Sequence, residues 1–155
     1  MERRAFFFGA IALLSSVGRA LAQGQNRSVD VRKDAACGCC SKWVEHLRSQ
    51  GFSVRATDME IGKLNELKTT RGIPQKLRSC HTALVGGYVV EGHVPAADVK
   101  RLLKERPPIV GIAVPGMPAG SPGMELASGI VQPFDVVAFA KDASTRVFAS
   151  HGPRR

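Results

Sequence analysis

The sequence predicts a single mixed α/β domain, and three observations predict it. Strand-like and helix-like patterns alternate through the first two thirds of the chain, a Gly-Gly pair separates two β-rich runs, and the 155 residues, less a leader, suit one core. The leader comes first: Arg3 and Arg4, the apolar run AFFFGAIALLSSV, then ALA before Gln23. A charged start, a short apolar stretch and a small-x-small site make residues 1–22 a secretory signal peptide. RRAFF also resembles the twin-arginine export signal, although Glu2 stands where Ser or Thr is usual. The apolar stretch is shorter than the roughly 20 residues of a membrane span, so the expectation is an exported periplasmic protein without a stable membrane anchor. Removing Met1–Ala22 takes away three arginines and one glutamate and lowers the formal charge from +9 to +7. The remaining Lys and Arg are scattered and aromatics make up 6%, whereas nucleic-acid grooves interleave the two. The charge therefore reads as a soluble surface, and nucleic acid is not expected as a partner.

The domain is expected over 28–150. SVDVRKD alternates apolar and polar as a short strand does. From Cys40, the residues Cys40, Trp43, Val44 and Leu47 fall on one face of a helix that Gly51 ends. FSVRATDM reads as a second strand and EIGKLNELKTTRG as a second helix, closed by Gly72 and Pro74. TALV and YVVEGHV flank Gly86-Gly87 as a hairpin. PAADVKRLLKE is a third helix, opened near Pro95 and stopped by Pro107-Pro108. The order β-α-β-α-β-β-α is that of a thioredoxin-like domain, which does not by itself dictate function. The stretch VGIAVPGMPAGSPGMELASG reads as an irregular Gly/Pro-rich loop. FDVVAFA and TRVFAS around KDAS form a C-terminal β-hairpin, and the tail, residues 151–155, reads as disordered with His151 idle.

The chemistry concentrates in CGCC, Cys37 to Cys40, and in Cys80, the fourth and last cysteine. A helix N-terminus stabilises thiolates, and the cluster sits where a strand hands over to a helix. Cys37 and Cys40 are the ends of a C-x-x-C pair suited to disulfide exchange. Alternatively, the thiolates hold metal, and Cys39 favours this, since a third thiol beside a redox pair invites scrambling. Structural disulfides are a further reading, though three cysteines within four residues are poorly placed to close long loops. A zinc-stabilised structural domain is another.

Counting outward from Gly86-Gly87 pairs Val85 with Tyr88, Leu84 with Val89, Ala83 with Val90, Thr82 with Glu91, His81 with Gly92 and Cys80 with His93. Directly opposed Cβ atoms lie about 4.5–5.5 Å apart, so Cys80 and His93 can share a metal. A bulge at Gly92 would upset that register. By strand alternation His81 should point to the other face. His46, seven residues after Cys39 and about 10 Å along the axis, reads as a packed residue before a ligand. Met117 and Met124 lie in the Gly/Pro loop without periodicity to bury them. Thioether and thiolate together select Cu(I) or Ag(I).

CGCC with Trp43 and His46, then LRSCHTALVGGYVVEGHVP, then VPGMPAGSPGME closely resemble domain-of-unknown-function family 411, which includes CopG-like copper-resistance proteins. The resemblance runs from about Val29 to Phe148. It implies a periplasmic thioredoxin-like domain whose CxCC motif binds copper, as a multinuclear thiolate-bridged cluster that changes oxidation state or passes copper to other export proteins. Carried over, the ligands are Cys37, Cys39, Cys40, Cys80 and His93. Thioredoxins carry a proline just before the third strand, and here Cys80 occupies about that place. The reading is thus a periplasmic Cu(I)/Ag(I)-binding protein with Met117 as a cap and Met124, His81 and His46 as weaker candidates. The alternatives are a thiol-disulfide oxidoreductase using Cys37 and Cys40, and the zinc domain. Stoichiometry, resting oxidation state, copper donor and acceptor, oligomeric state and catalysis are not written in these spacings.

Overall fold

A computed structural model describes residues 27–153; the expected leader lies outside them. The chain runs β1 (Ser28–Lys33), α1 (Gly38–Ser49), β2 (Ser53–Asp58), α2 (Ile61–Thr70), a 3-10 turn (Gln75–Leu77), β3 (His81–Val85), β4 (Tyr88–Glu91), α3 (Ala96–Glu105), β5 (Gly111–Ala113), β6 (Phe134–Phe139) and β7 (Thr145–His151). The seven strands make one sheet in the order β2-β1-β3-β4-β5-β6-β7. β1 pairs parallel with β2 and β4 with β5, and the other neighbours are antiparallel. The mixed α/β class and the order β-α-β-α-β-β-α hold as expected, and the C-terminal hairpin is β6–β7.

Two expectations need correction. The Gly/Pro stretch is not irregular throughout: Gly111–Ala113 forms β5, paired with Val89–Glu91 on one side and Val137–Phe139 on the other. Three residues are too short for a periodicity to declare itself, and the partners on both sides make the strand. Nor does the fold stop at residue 150. β7 runs through His151, whose Nε2 lies 2.6 Å from Asp98 Oδ2 on α3 and whose ring lies flat on Phe134 at 5.1 Å. His151 is therefore a tether between β7 and α3 rather than an idle tail residue.

Period-two alternation sends side chains to two cores. Ala83, Val85, Tyr88 and Val90 join Trp43, Val44 and Leu47 of α1 and Val99 and Leu102 of α3 in the larger one. Leu84 and Val89 face the other way, with Ile73 and Leu77. Among the described residues no helix is long and apolar enough to cross a membrane.

Candidate metal centre

The site is built where β1 hands over to α1 and where the β3–β4 hairpin opens at its far end from the turn. Asp34 shapes the handover, its carboxylate accepting from Ala36 N–H at 2.7 Å and its carbonyl from Cys37 N–H at 3.1 Å. Cys37 is the N-cap of α1, and Cys39 and Cys40 lie in its first turn. Their sulfurs therefore gather at the positive end of the helix dipole. Cys40 is buried and Cys37 half-buried, and the two are joined by a disulfide. Cys39 and Cys80 are free. Cys39 Sγ lies 3.5 Å from Cys37 Sγ and 4.0 Å from Cys80 Sγ, across 41 residues of sequence.

The hairpin register is as counted from Gly86-Gly87, from Val85 opposite Tyr88 to Thr82 opposite Glu91, and Gly92 N–H then donates to the His81 carbonyl at 3.0 Å. Beyond this the ladder ends. Gly92 adopts φ +71°, and a Cβ there would stand 2.6 Å from Ser79 Cβ and 2.7 Å from the Val114 carbonyl, so only glycine fits. The turn swings His93 back across the sheet edge, with Val94 N–H donating to the Gly92 carbonyl at 2.8 Å. His93 Nε2 arrives 3.1 Å from Cys80 Sγ. The contact expected from the pairing is thus present, made through a turn rather than a pleat.

His93 Nδ1 lies 2.8 Å from the Pro122 carbonyl. A carbonyl only accepts, so Nδ1 carries the proton and Nε2 turns its lone pair to Cys80. This is the carbonyl-to-imidazole support that metal-ligating histidines use.

His81 departs from expectation. Cys80 precedes β3, so alternation does not oppose the two side chains, and His81 Nδ1 lies 3.3 Å from Cys80 Sγ. Its ring sits 4.4 Å from Trp43 and 5.0 Å from His93. His81 is fully buried and its Nε2 has no partner among the described residues. Two groups that could hold a metal ion result, Cys37/Cys39/Cys40/Cys80 and Cys80/His81/His93, each with its candidate donor atoms within 4.8 Å of one another. Cys80 belongs to both.

His46 stands apart. Its Nε2 accepts from Ala96 N–H at 3.1 Å, capping the first turn of α3, the packed role expected before a ligand role. The loop after β5 packs against the site. Ser79 Oγ donates to the Gly116 carbonyl at 2.6 Å, next in sequence to Met117, which is 52% exposed. Gly123 lies so close to α1 that a Cβ would meet the Cys39 carbonyl at 2.8 Å and Trp43 N at 2.9 Å. Met124 is half-buried, held by its N–H to the Ser121 carbonyl at 2.8 Å.

Burial, with Cys39 beside it, pushes the Cys80 thiol up to about 12, so a metal bound there would have to displace a proton and would be held more tightly as pH rises. Burial holds His46, His81 and His93 below the ordinary 6.5. The unfolded chain then binds more protons than the folded one as pH falls through 6.5, so the stability that these neutral rings contribute is complete above that pH and is lost below it. The urea midpoint of the protein should drop between pH 7.5 and pH 5; an unchanged midpoint would contradict the assignment of three neutral rings.

Sequence reasoning missed Ser79, the Pro122 carbonyl and the buried partners Lys68 and Glu91. Only Lys68 left a signal, a charge on the same face of α2 as Leu64.

The family model described as "Protein of unknown function, DUF411" matches residues 77–124. No curated protein matches the chain significantly. Among solved structures, "Copper resistance protein copG- Form 2" is 42% identical with a TM-score of 0.74, and the alignment covers 81% of this chain and 98% of that one. "Copper resistance protein copG- Form 1" is 41% identical with a TM-score of 0.72 and the same coverage.

Proposed function

Since this chain belongs to the DUF411 family of CopG-like copper-resistance proteins, we propose that it binds Cu(I) in the periplasm through Cys37, Cys39, Cys40, Cys80 and His93. Met117 caps the site from the loop, and silver is an accepted surrogate. The periplasmic assignment rests on the leader motif in residues 1–22. The observation that carries the metal reading is the meeting of four sulfurs from two distant segments within 4.8 Å of one another, a density that bridged soft cations use better than one tetrahedral ion. The Cys37–Cys40 disulfide must first take up two electrons and two protons from a dithiol reductant, after which both sulfurs become ligands. Binding is thereby tied to redox state, and the held copper would pass between Cu(I) and Cu(II) only with an external one-electron donor or acceptor.

The same disulfide favours a second reading, thiol-disulfide exchange by Cys37 and Cys40. Purified, reduced protein titrated with Cu(I) against a competing chelator separates the two. More than one copper per chain, lost on Cys39→Ser, is expected. One copper or none, together with efficient reduction of a disulfide substrate that survives Cys39→Ser, would instead establish the oxidoreductase.

A further inference from the structure

The two segments that deliver Cys80 and His93 are joined beneath the site by a carboxylate to which the metal reading gives no role. Glu91 is the last residue of β4, two before His93, and is fully buried. Its Oε1 accepts from Lys68 Nζ at 2.6 Å and from Ser79 N–H at 2.7 Å. Its Oε2 accepts from Thr82 Oγ1 at 2.6 Å, and Lys68 Nζ also donates to that hydroxyl at 2.9 Å. Lys68, from α2, is 1% exposed. The three side chains close a ring whose one outward bond goes to the backbone of the residue preceding Cys80.

We propose that Glu91, clamped by Lys68 and Thr82, is a positioning residue that sets Cys80 against Cys39 and His93 by gripping the Ser79 backbone. Cys80 lies before β3, and the β3–β4 pairing begins only at Thr82. Something other than the ladder must therefore hold the Ser79–Cys80 backbone: the Ser79 hydroxyl is tied to the Gly116 carbonyl of the loop, and Glu91 holds the Ser79 N–H from the strand that leads into His93. The carboxylate charge on the acceptor side, met by the Lys68 ammonium, makes the Glu91 bonds short and directional. Stability alone does not account for the pair, because a buried ion pair is commonly matched or exceeded by apolar side chains of similar volume. A group that reaches from β4 to Ser79 ties the sulfur to the strand that carries the imidazole.

The consequence for copper rests on the metal-binding reading; the effect on Cys80 does not, and the experiment separates them. In a Cys37→Ser/Cys40→Ser chain, Cys39 and Cys80 are the remaining cysteines, 4.0 Å apart, and diamide should join them readily. Adding Lys68→Met/Glu91→Gln keeps a carbonyl oxygen for Ser79 N–H and should leave the rate within about twofold. Adding Lys68→Met/Glu91→Leu removes the acceptor without leaving a charge unpaired and should slow pairing at least tenfold, while alkylation of Cys39 and cooperative unfolding are unchanged. Should the leucine variant not fold, Glu91→Asp, which keeps the charge and shortens the reach by one methylene, should also slow pairing. Equal rates in the glutamine and leucine variants, or in Glu91→Asp and its parent, would overturn the proposal. In the four-cysteine protein Glu91→Asp should weaken Cu(I) binding by about 10–100-fold, the range of lost outer-shell support. If pairing slows but the unsubstituted protein holds no Cu(I), the positioning role stands and the metal reading falls.

Discussion

Cys80→Ser is expected to reduce copper binding from more than one ion per chain to at most one, with at least a 100-fold loss of Cu(I) affinity. Cys80 is the residue common to the sulfur group and the sulfur–imidazole group. Its Sγ stands 4.0 Å from Cys39, 3.3 Å from His81 Nδ1 and 3.1 Å from His93 Nε2. Losing it disconnects the motif cysteines from both histidines, whereas losing Cys39 leaves a sulfur next to nitrogen ligands. A hydroxyl is also a hard, poor donor for a monovalent soft ion. The exchange is nearly isosteric at a half-buried position, so stability should stay within the small range of substitutions that open no cavity. Copper per chain, measured after equilibration with a chelator, and the urea midpoint together make the check. A Cys80→Ser protein that keeps its full copper complement would place the binding site elsewhere.

How much of this could be read from the chain depends on how local each signal is. Gly86-Gly87 fixes a two-residue turn, and counting from it gives the pairing as far as Thr82 and Glu91, because register is a local consequence of turn length. The last step, Cys80 to His93, is made by the turn at Gly92, which the count does not contain. Three of the four cysteines could likewise be placed at one junction, since Cys37, Cys39 and Cys40 open a helix whose apolar face is explicit; that Cys80 joins them follows only from the metal reading and the family resemblance. What stayed hidden depends on the ends of elements and on long-range partners. Strand alternation carried back to Cys80, one residue before β3 begins at His81, wrongly sets the two side chains on opposite faces. β5 exists because β4 and β6 flank it, and His151 finds Asp98 across 53 residues. The Cys37–Cys40 disulfide was one of several alternatives that an i,i+3 spacing allows; geometry permits it, and the redox surroundings decide it.

Lys68→Met is expected to destabilise the fold by about 3–5 kcal/mol near pH 8, the cost of removing one partner from a buried ion pair. Lys68 and Glu91 are 2% and 0% exposed at their side chains. Without the ammonium, Glu91 keeps only Ser79 N–H and Thr82 Oγ1 as donors for a full negative charge out of water. The loss should depend on pH, with a sign that tests the cause. Burial already pushes the Glu91 carboxyl up from 4.5, and Lys68 is the leading influence holding it down. Removing Lys68 raises the folded value further. A carboxyl whose folded value lies above its unfolded one is most favourable below the unfolded value and destabilises the fold as pH rises through the folded value. The difference in unfolding free energy between Lys68→Met and the parent should therefore shrink from pH 8 to pH 5, even as the neutral histidines make both proteins weaker in acid. Urea unfolding of the pair at the two pH values measures it. A difference independent of pH would mean that the variant loses packing around the lysine stem and not the neutralisation of a buried carboxylate. Adding Glu91→Gln to Lys68→Met should then recover nothing, whereas on the charge argument it recovers most of the loss.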